Sequence, residues 1–186
     1  TYPADFIYEN TAMHTNIIQA CHTHNTTKLL FPGSACTYPK LAPQPIAESE
    51  FLNGPIEPTN LAYATAKING LVMAQSFAKQ HTLQVALPMP TNTYGVNDNF
   101  DPTASHVIPA LMTRFHQAAQ ENRAEEIIWG TGTPLREFLY VDDMAAASIH
   151  VMNLPQATLP VAGLATASAL FSMLGNLLLL YAYRRA

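Results

Sequence analysis

At 186 residues, 48% hydrophobic and 12% charged, the chain is long enough for one domain with a real core and carries too little charge for a disordered or coiled-coil class. Its formal net charge of −4 comes without any Lys/Arg stripe, so it lacks the cationic surface that a phosphate backbone requires, which argues against nucleic acid as a partner. Two cysteines, Cys21 and Cys36, stand outside any CxxC or Cys/His ligand spacing; this argues against a disulfide framework and a metal centre, and fits a reducing cytoplasm.

The opening TYPADFIYEN has no Met, basic leader or apolar leader and reads as cut from something longer. Met13, Ile17, Ile18 and Cys21 recur at helical spacing over residues 10–24, and TKLLFPG then reads as a buried strand closed by Pro-Gly. Residues 34–58 are rich in proline and form a long loop, after which Thr59 or Asn60 caps a helix reaching about His81. LQVALPMP is a second buried strand, TNTYGVNDNFDPTA a turn-rich loop, and HVIPALMTRFHQAAQ a helix that tolerates Pro109 near its start. EEIIWG and REFLYV read as strands separated by a TGTP turn, and DDMAAASIHVMN begins with the acidic residues that suit a helix N-terminus. Helices alternating with short apolar strands imply parallel α/β layering, with functional residues at the carboxyl ends of strands.

Tyr63 and Lys67 lie four residues apart on the predicted helix, so both side chains share one face. A lysine ammonium beside a phenol is expected to lower its pKa from about 10 toward the working range of an acid–base catalyst. Ser34, at a strand end upstream, supplies a hydroxyl that can orient a carbonyl oxygen. Gly130 and Gly132 form only a lone GxG before Thr-Pro, which is no dinucleotide fingerprint. His22 and His24 point apart on a helix without a further ligand, so no metal is expected.

A Ser followed by Tyr-x-x-x-Lys resembles the extended short-chain dehydrogenase/reductase superfamily. The stretches KLLFPGSACTYPKLAPQPIAESE, YATAK, MPTNTYG, DNFDPTASHVIPALMTRFHQA and WGTGTPLREFLYVDDMAAASIHVM resemble, within it, the GDP-L-fucose synthases, from residue 1 to about 154. That resemblance implies an incomplete Rossmann-type parallel sheet with part of a substrate domain, over a partial epimerase/dehydratase-type domain of residues 1–156. It implies an NADP(H)-dependent enzyme that epimerises GDP-4-keto-6-deoxy-D-mannose at C3 and C5 and then reduces C4. Catalysis would fall to Ser34, Cys36, Tyr63, Lys67 and His106, with Cys36 and His106 moving protons in the epimerisation. Cofactor contacts would come from Pro32, Gly33, Ser34, Ala35, Lys67, Pro90, Thr91, Asn92, Thr93 and His106, and the GDP-sugar would be held by Arg114, Trp129 and Arg136. A homodimer in the cytoplasm is the family expectation.

The sequence departs from the resemblance at both ends. The strand–GxxGxxG–helix unit that cradles the cofactor pyrophosphate is absent, so NADP affinity is expected to be lost or very weak. After Asp143 no acidic or basic residue appears until Arg184, and residues 161–183 form an apolar run long enough to span a bilayer. Residues 157–186 are therefore read either as a membrane anchor with Arg184 and Arg185 on the cytoplasmic side or, preferably, as a non-native terminus. The alternatives are a 4-epimerase or 4,6-dehydratase of nucleotide sugars and a non-catalytic, membrane-tethered remnant. A dehydratase is disfavoured because Ala35 and Cys36 stand where those enzymes carry an Asp-Glu pair.

Overall fold

The computed structural model describes residues 2–101, 104–128, 130–132 and 135–154. The apolar tail of residues 157–186 and Trp129 lie outside the described residues. Helix α1 (Pro3–Thr23) starts earlier than its apolar periodicity alone suggests, because Pro3 at the first helical position and Asp5 in the first turn are themselves start signals. It leads into β1 (Lys28–Leu30), and after the long loop α2 (Leu61–Gln80) packs along α1. β2 (Gln84–Ala86) pairs parallel with β1, Leu29 opposite Val85.

Two strand expectations are corrected. A third strand, β3 (Asn92–Tyr94), lies inside the segment read as a turn-rich loop. It is made by tertiary pairing, parallel to β4 (Phe138–Tyr140) with Thr93 opposite Leu139, and carries no local apolar signal of its own. Conversely, Glu125–Ile128 form no strand: Ile127 and Ile128 are 78% and 53% exposed, with no strand pairing them among the described residues. Between these elements runs α3 (Val107–Gln120), and α4 (Val141–Asn153) follows β4 directly. The result is an incomplete Rossmann-type arrangement of two parallel strand pairs with helices packed on them.

Ile18, Phe31, Leu71, Ala74 and Leu87 form the central core, with Ile18 and Leu71 almost fully shielded. Each such side chain contributes about 1.5–3 kcal/mol by leaving water. Gly70 is required in this core because a Cβ there would come within 2.3 Å of the Phe31 ring. The pairing of β1 with β2 continues beyond the strands: Gly33 N donates to Pro88 O at 2.8 Å and Ala35 N to Pro90 O at 3.2 Å. This places the turn bearing Ser34 beside the loop bearing Pro90, where a parallel sheet collects its functional groups. Among the described residues no helix is long and apolar enough to cross a membrane.

Candidate active site

The first half of α2 presents Tyr63 and Lys67 toward the ends of β1 and β2. Lys67 Nζ donates to the Pro32 carbonyl at 2.9 Å and lies 5.9 Å from the Tyr63 ring centroid, as the four-residue spacing requires, and 5.4 Å from Phe31. The electrostatic expectation is corrected. Burial pushes the Tyr63 phenol above its ordinary value of 10.0; the Ser34 hydroxyl, as a hydrogen-bond partner, acts in the opposite direction, and the charge of Cys36 adds to the rise. Burial also lowers Lys67 from 10.5. With its ammonium directed at a carbonyl, Lys67 leaves Tyr63 a protonated phenol at neutral pH, ready to donate.

Ser34 closes a one-turn 3-10 helix over Ala35–Thr37. Its Oγ accepts from Cys36 N at 3.3 Å, and its carbonyl accepts from Thr37 Oγ1 at 2.7 Å. Gly33 is glycine for lack of space, since a Cβ would meet Met89 Sδ at 2.2 Å. The Cys36 sulfur accepts from Asn60 Nδ2 at 3.6 Å. His106 stands at the N-cap position of α3 but makes no side-chain capping bond, so the structure gives it no helix-stabilising role there. Asn92 Nδ2 donates to Glu137 O at 3.1 Å, fastening the loop after Pro90 to the segment entering β4.

A cleft of about 810 Å³ brings many of the predicted site residues together. Ser34, Ala35, Cys36, Pro90, Thr91, Asn92, Thr93, His106 and Arg136 all line it. Pro32, Gly33, Tyr63 and Lys67 are not lining residues; Tyr63 reaches the wall through Ser34, while Lys67 is tied to Pro32, two residues before that serine. Arg114 is not brought to the cleft: its guanidinium pairs with Glu126 at 2.7 Å and donates to the Ile127 carbonyl. The chemistry on offer is proton donation to a carbonyl oxygen, with a thiol and an imidazole at hand for further proton transfer.

The profile of the NAD dependent epimerase/dehydratase family matches residues 1–161. The chain belongs to that family. It is 58% identical to GDP-L-fucose synthase of Escherichia coli (strain K12), over 83% of the chain and 48% of the relative. It is 56% identical to the putative GDP-L-fucose synthase 2 of Arabidopsis thaliana, over 82% of the chain and 47% of the relative. The chain thus spans about half the length of the curated relatives it matches. Among solved structures, the crystal structure of a GDP-L-fucose synthetase from Naegleria fowleri bound to NADP superimposes with a TM-score of 0.76 at 31% identity, covering 81% of this chain and 48% of that one.

This epimerase/dehydratase chain holds site residues that spacing did not reveal. Lys40 and Glu57 face each other across the mouth of the proline-rich loop at 2.9 Å, and both line the cleft. Glu57 also accepts from Thr59 N at 3.5 Å, so the loop clasp and the entry into α2 share one carboxylate. His14, 3% exposed, donates from Nδ1 to the Ala66 carbonyl at 3.1 Å and sits edge-on to Phe31, one residue from Lys67 along α2. Asn60 reads in sequence only as a helix cap. None of these carries a local signal, because each partner is brought in by the fold.

Proposed function

We propose that this chain carries the catalytic core of an NADP(H)-dependent GDP-L-fucose synthase acting on GDP-4-keto-6-deoxy-D-mannose. The observation that carries the reading is the convergence of Ser34, Cys36 and His106 on one cleft, with Tyr63 hydrogen-bonded to the Ser34 hydroxyl. The reading is supported by the identity to GDP-L-fucose synthases and by the NADP named for the Naegleria structure.

For epimerisation, the C–H bond at C3 or C5, beside the C4 ketone, breaks and its proton passes to one of Cys36 and His106. The electron pair moves onto the C4 oxygen, where the Ser34 hydroxyl donates a hydrogen bond to the enolate. The other group returns a proton to the opposite face of the carbon. For reduction, the O–H bond of Tyr63 breaks and its proton goes to the C4 oxygen while Ser34 keeps that oxygen aligned. Lys67 holds the turn before Ser34 in place through the Pro32 carbonyl. NADPH, when bound, supplies the hydride for C4.

The residues that would hold the nicotinamide end of NADPH are Pro32, Gly33, Ser34, Ala35, Lys67, His106 and the loop Pro90 to Thr93. They fit it, since the backbone bonds from Gly33 to Pro88 and from Ala35 to Pro90 set the two loops side by side above the strand ends. Arg136, exposed on the cleft, serves the GDP diphosphate as a bidentate donor, and Trp129, outside the described residues, is assigned to the GDP-sugar by the resemblance alone. A cytoplasmic homodimer completes the reading.

The test is NADPH oxidation by the full-length protein bearing this sequence, supplied with the keto-sugar. Turnover to GDP-L-fucose is expected, and Tyr63→Phe should slow it about a thousand-fold, the middle of the range for losing a general acid. Full activity in Tyr63→Phe would overturn the assignment.

A further inference from the structure

We infer that Asn60 is the positioning residue for the Cys36 sulfur, its side-chain amide holding the sulfur at the wall of the cleft; the inference rests on Cys36 moving protons as proposed above. Asn60 occupies the N-cap position of α2, a helix of 20 residues, and makes no side-chain capping bond there. Asparagine is among the best N-cap residues because its side-chain oxygen satisfies an orphan amide of the first turn. Here the entry is capped by Glu57, whose side chain accepts from Thr59 N at the head of the 3-10 turn Pro58–Asn60, and Asn60 points its Nδ2 at Cys36 Sγ, 3.6 Å away.

The contact is built from both sides. Asn60 N donates to Glu57 O at 3.0 Å, and Glu57 is itself held by Lys40, so the backbone of the amide is fixed. Cys36 N is bound to Ser34 Oγ, which fixes the thiol's own backbone. Among the described residues Asn60 is the one side chain that hydrogen-bonds the sulfur. An amide N–H is a donor, and it binds a thiolate far better than a thiol. Cys36 packs near the N-terminal end of α2, where the helix dipole favours the same charge. Both residues line the cleft, so the sulfur is anchored while facing the substrate space. The titratable neighbours are Tyr63, which feels the charge of Cys36, and His106 across the cleft.

The inference makes helix stability and thiol reactivity move in opposite senses. Asn60→Ser and Asn60→Asp keep good N-cap residues but remove the donor to sulfur, and Asp adds a repelling carboxylate. The experiment is carbamidomethylation of the full-length protein by iodoacetamide at pH 7, with the Cys36 and Cys21 peptides followed separately by mass spectrometry and thermal melting recorded alongside. The expected result is a Cys36 rate about ten-fold lower in Asn60→Ser and lower still in Asn60→Asp, with Cys21 unchanged and Tm equal or raised. Cys36 rates within two-fold of the parent, or a loss of rate that tracks a loss of Tm, would overturn it. Alkylation needs neither sugar nor cofactor, so a protein that shows the expected rates yet fails to turn over the keto-sugar contradicts the functional reading alone.

Discussion

The segment from α1 to β2 and the segment from β3 to α4 follow the same parallel plan, but they fix their functional groups by different means. The whole central core cluster of Ile18, Phe31, Leu71, Ala74 and Leu87 lies in the first segment, directly beneath Ser34, Tyr63 and Lys67. In the second, Arg136 is exposed and Ile127, Ile128 and Leu135 face solvent, while Arg114 is set by an ion pair. Under the proposed function the first set makes and breaks bonds, and such groups must keep their geometry to fractions of an ångström, which a packed core provides. Groups that hold a long, charged ligand tolerate a looser rim.

Three perturbations test that contrast, from the largest effect to the smallest. Leu71→Ala removes a side chain that is 2% exposed and in contact with the other core residues, and should cost about 3 kcal/mol in urea unfolding. A cost below about 1 kcal/mol would mean that the first segment is not the rigid one. Arg114→Ala and Arg136→Ala should then separate. Losing Arg114 leaves Glu126, which is 10% exposed, to Arg123 alone and frees the Ile127 carbonyl, and should destabilise by about 1 kcal/mol. Losing Arg136 should leave Tm unchanged and raise KM for the GDP-sugar about ten-fold. Equal effects on Tm would erase the distinction drawn between them.

The smallest effect is a pH dependence inside the first segment. Burial holds His14 below its ordinary 6.5; its bond to Ala66 O works the other way, and the Lys67 cation adds to the lowering. The folded protein therefore binds fewer protons at this site than the unfolded chain does. Its contribution is present above about pH 6.5 and is lost as pH falls through the lower folded value. His14→Asn should flatten the decline of the urea midpoint between pH 7 and pH 5. An unchanged slope would remove His14 from the account.

Much of this was legible in the residues, for physical reasons that also mark the limit. The alternation of helix and strand came from local periodicity, and the Tyr63–Lys67 pair from helical geometry. Strand β3 did not, because Asn92–Tyr94 becomes a strand only through its pairing with β4. Glu125–Ile128 look like a strand by composition but spend their groups on Arg114. The direction of the Tyr63 shift was misread because four-residue spacing gives proximity and says nothing about burial. Asn60 reads as a cap, and only the fold brings the Cys36 sulfur to its amide.

The central claim is that one cleft houses two separable proton-moving devices, Cys36 with His106 and Tyr63 with Ser34. The direct measurement is deuterium uptake at C3 and C5 of GDP-4-keto-6-deoxy-D-mannose in heavy water, by the full-length protein, in Tyr63→Phe and Cys36→Ala variants. Tyr63→Phe should retain exchange while losing reduction, and Cys36→Ala should lose exchange. Exchange that survives in Cys36→Ala and disappears in Tyr63→Phe would contradict the account.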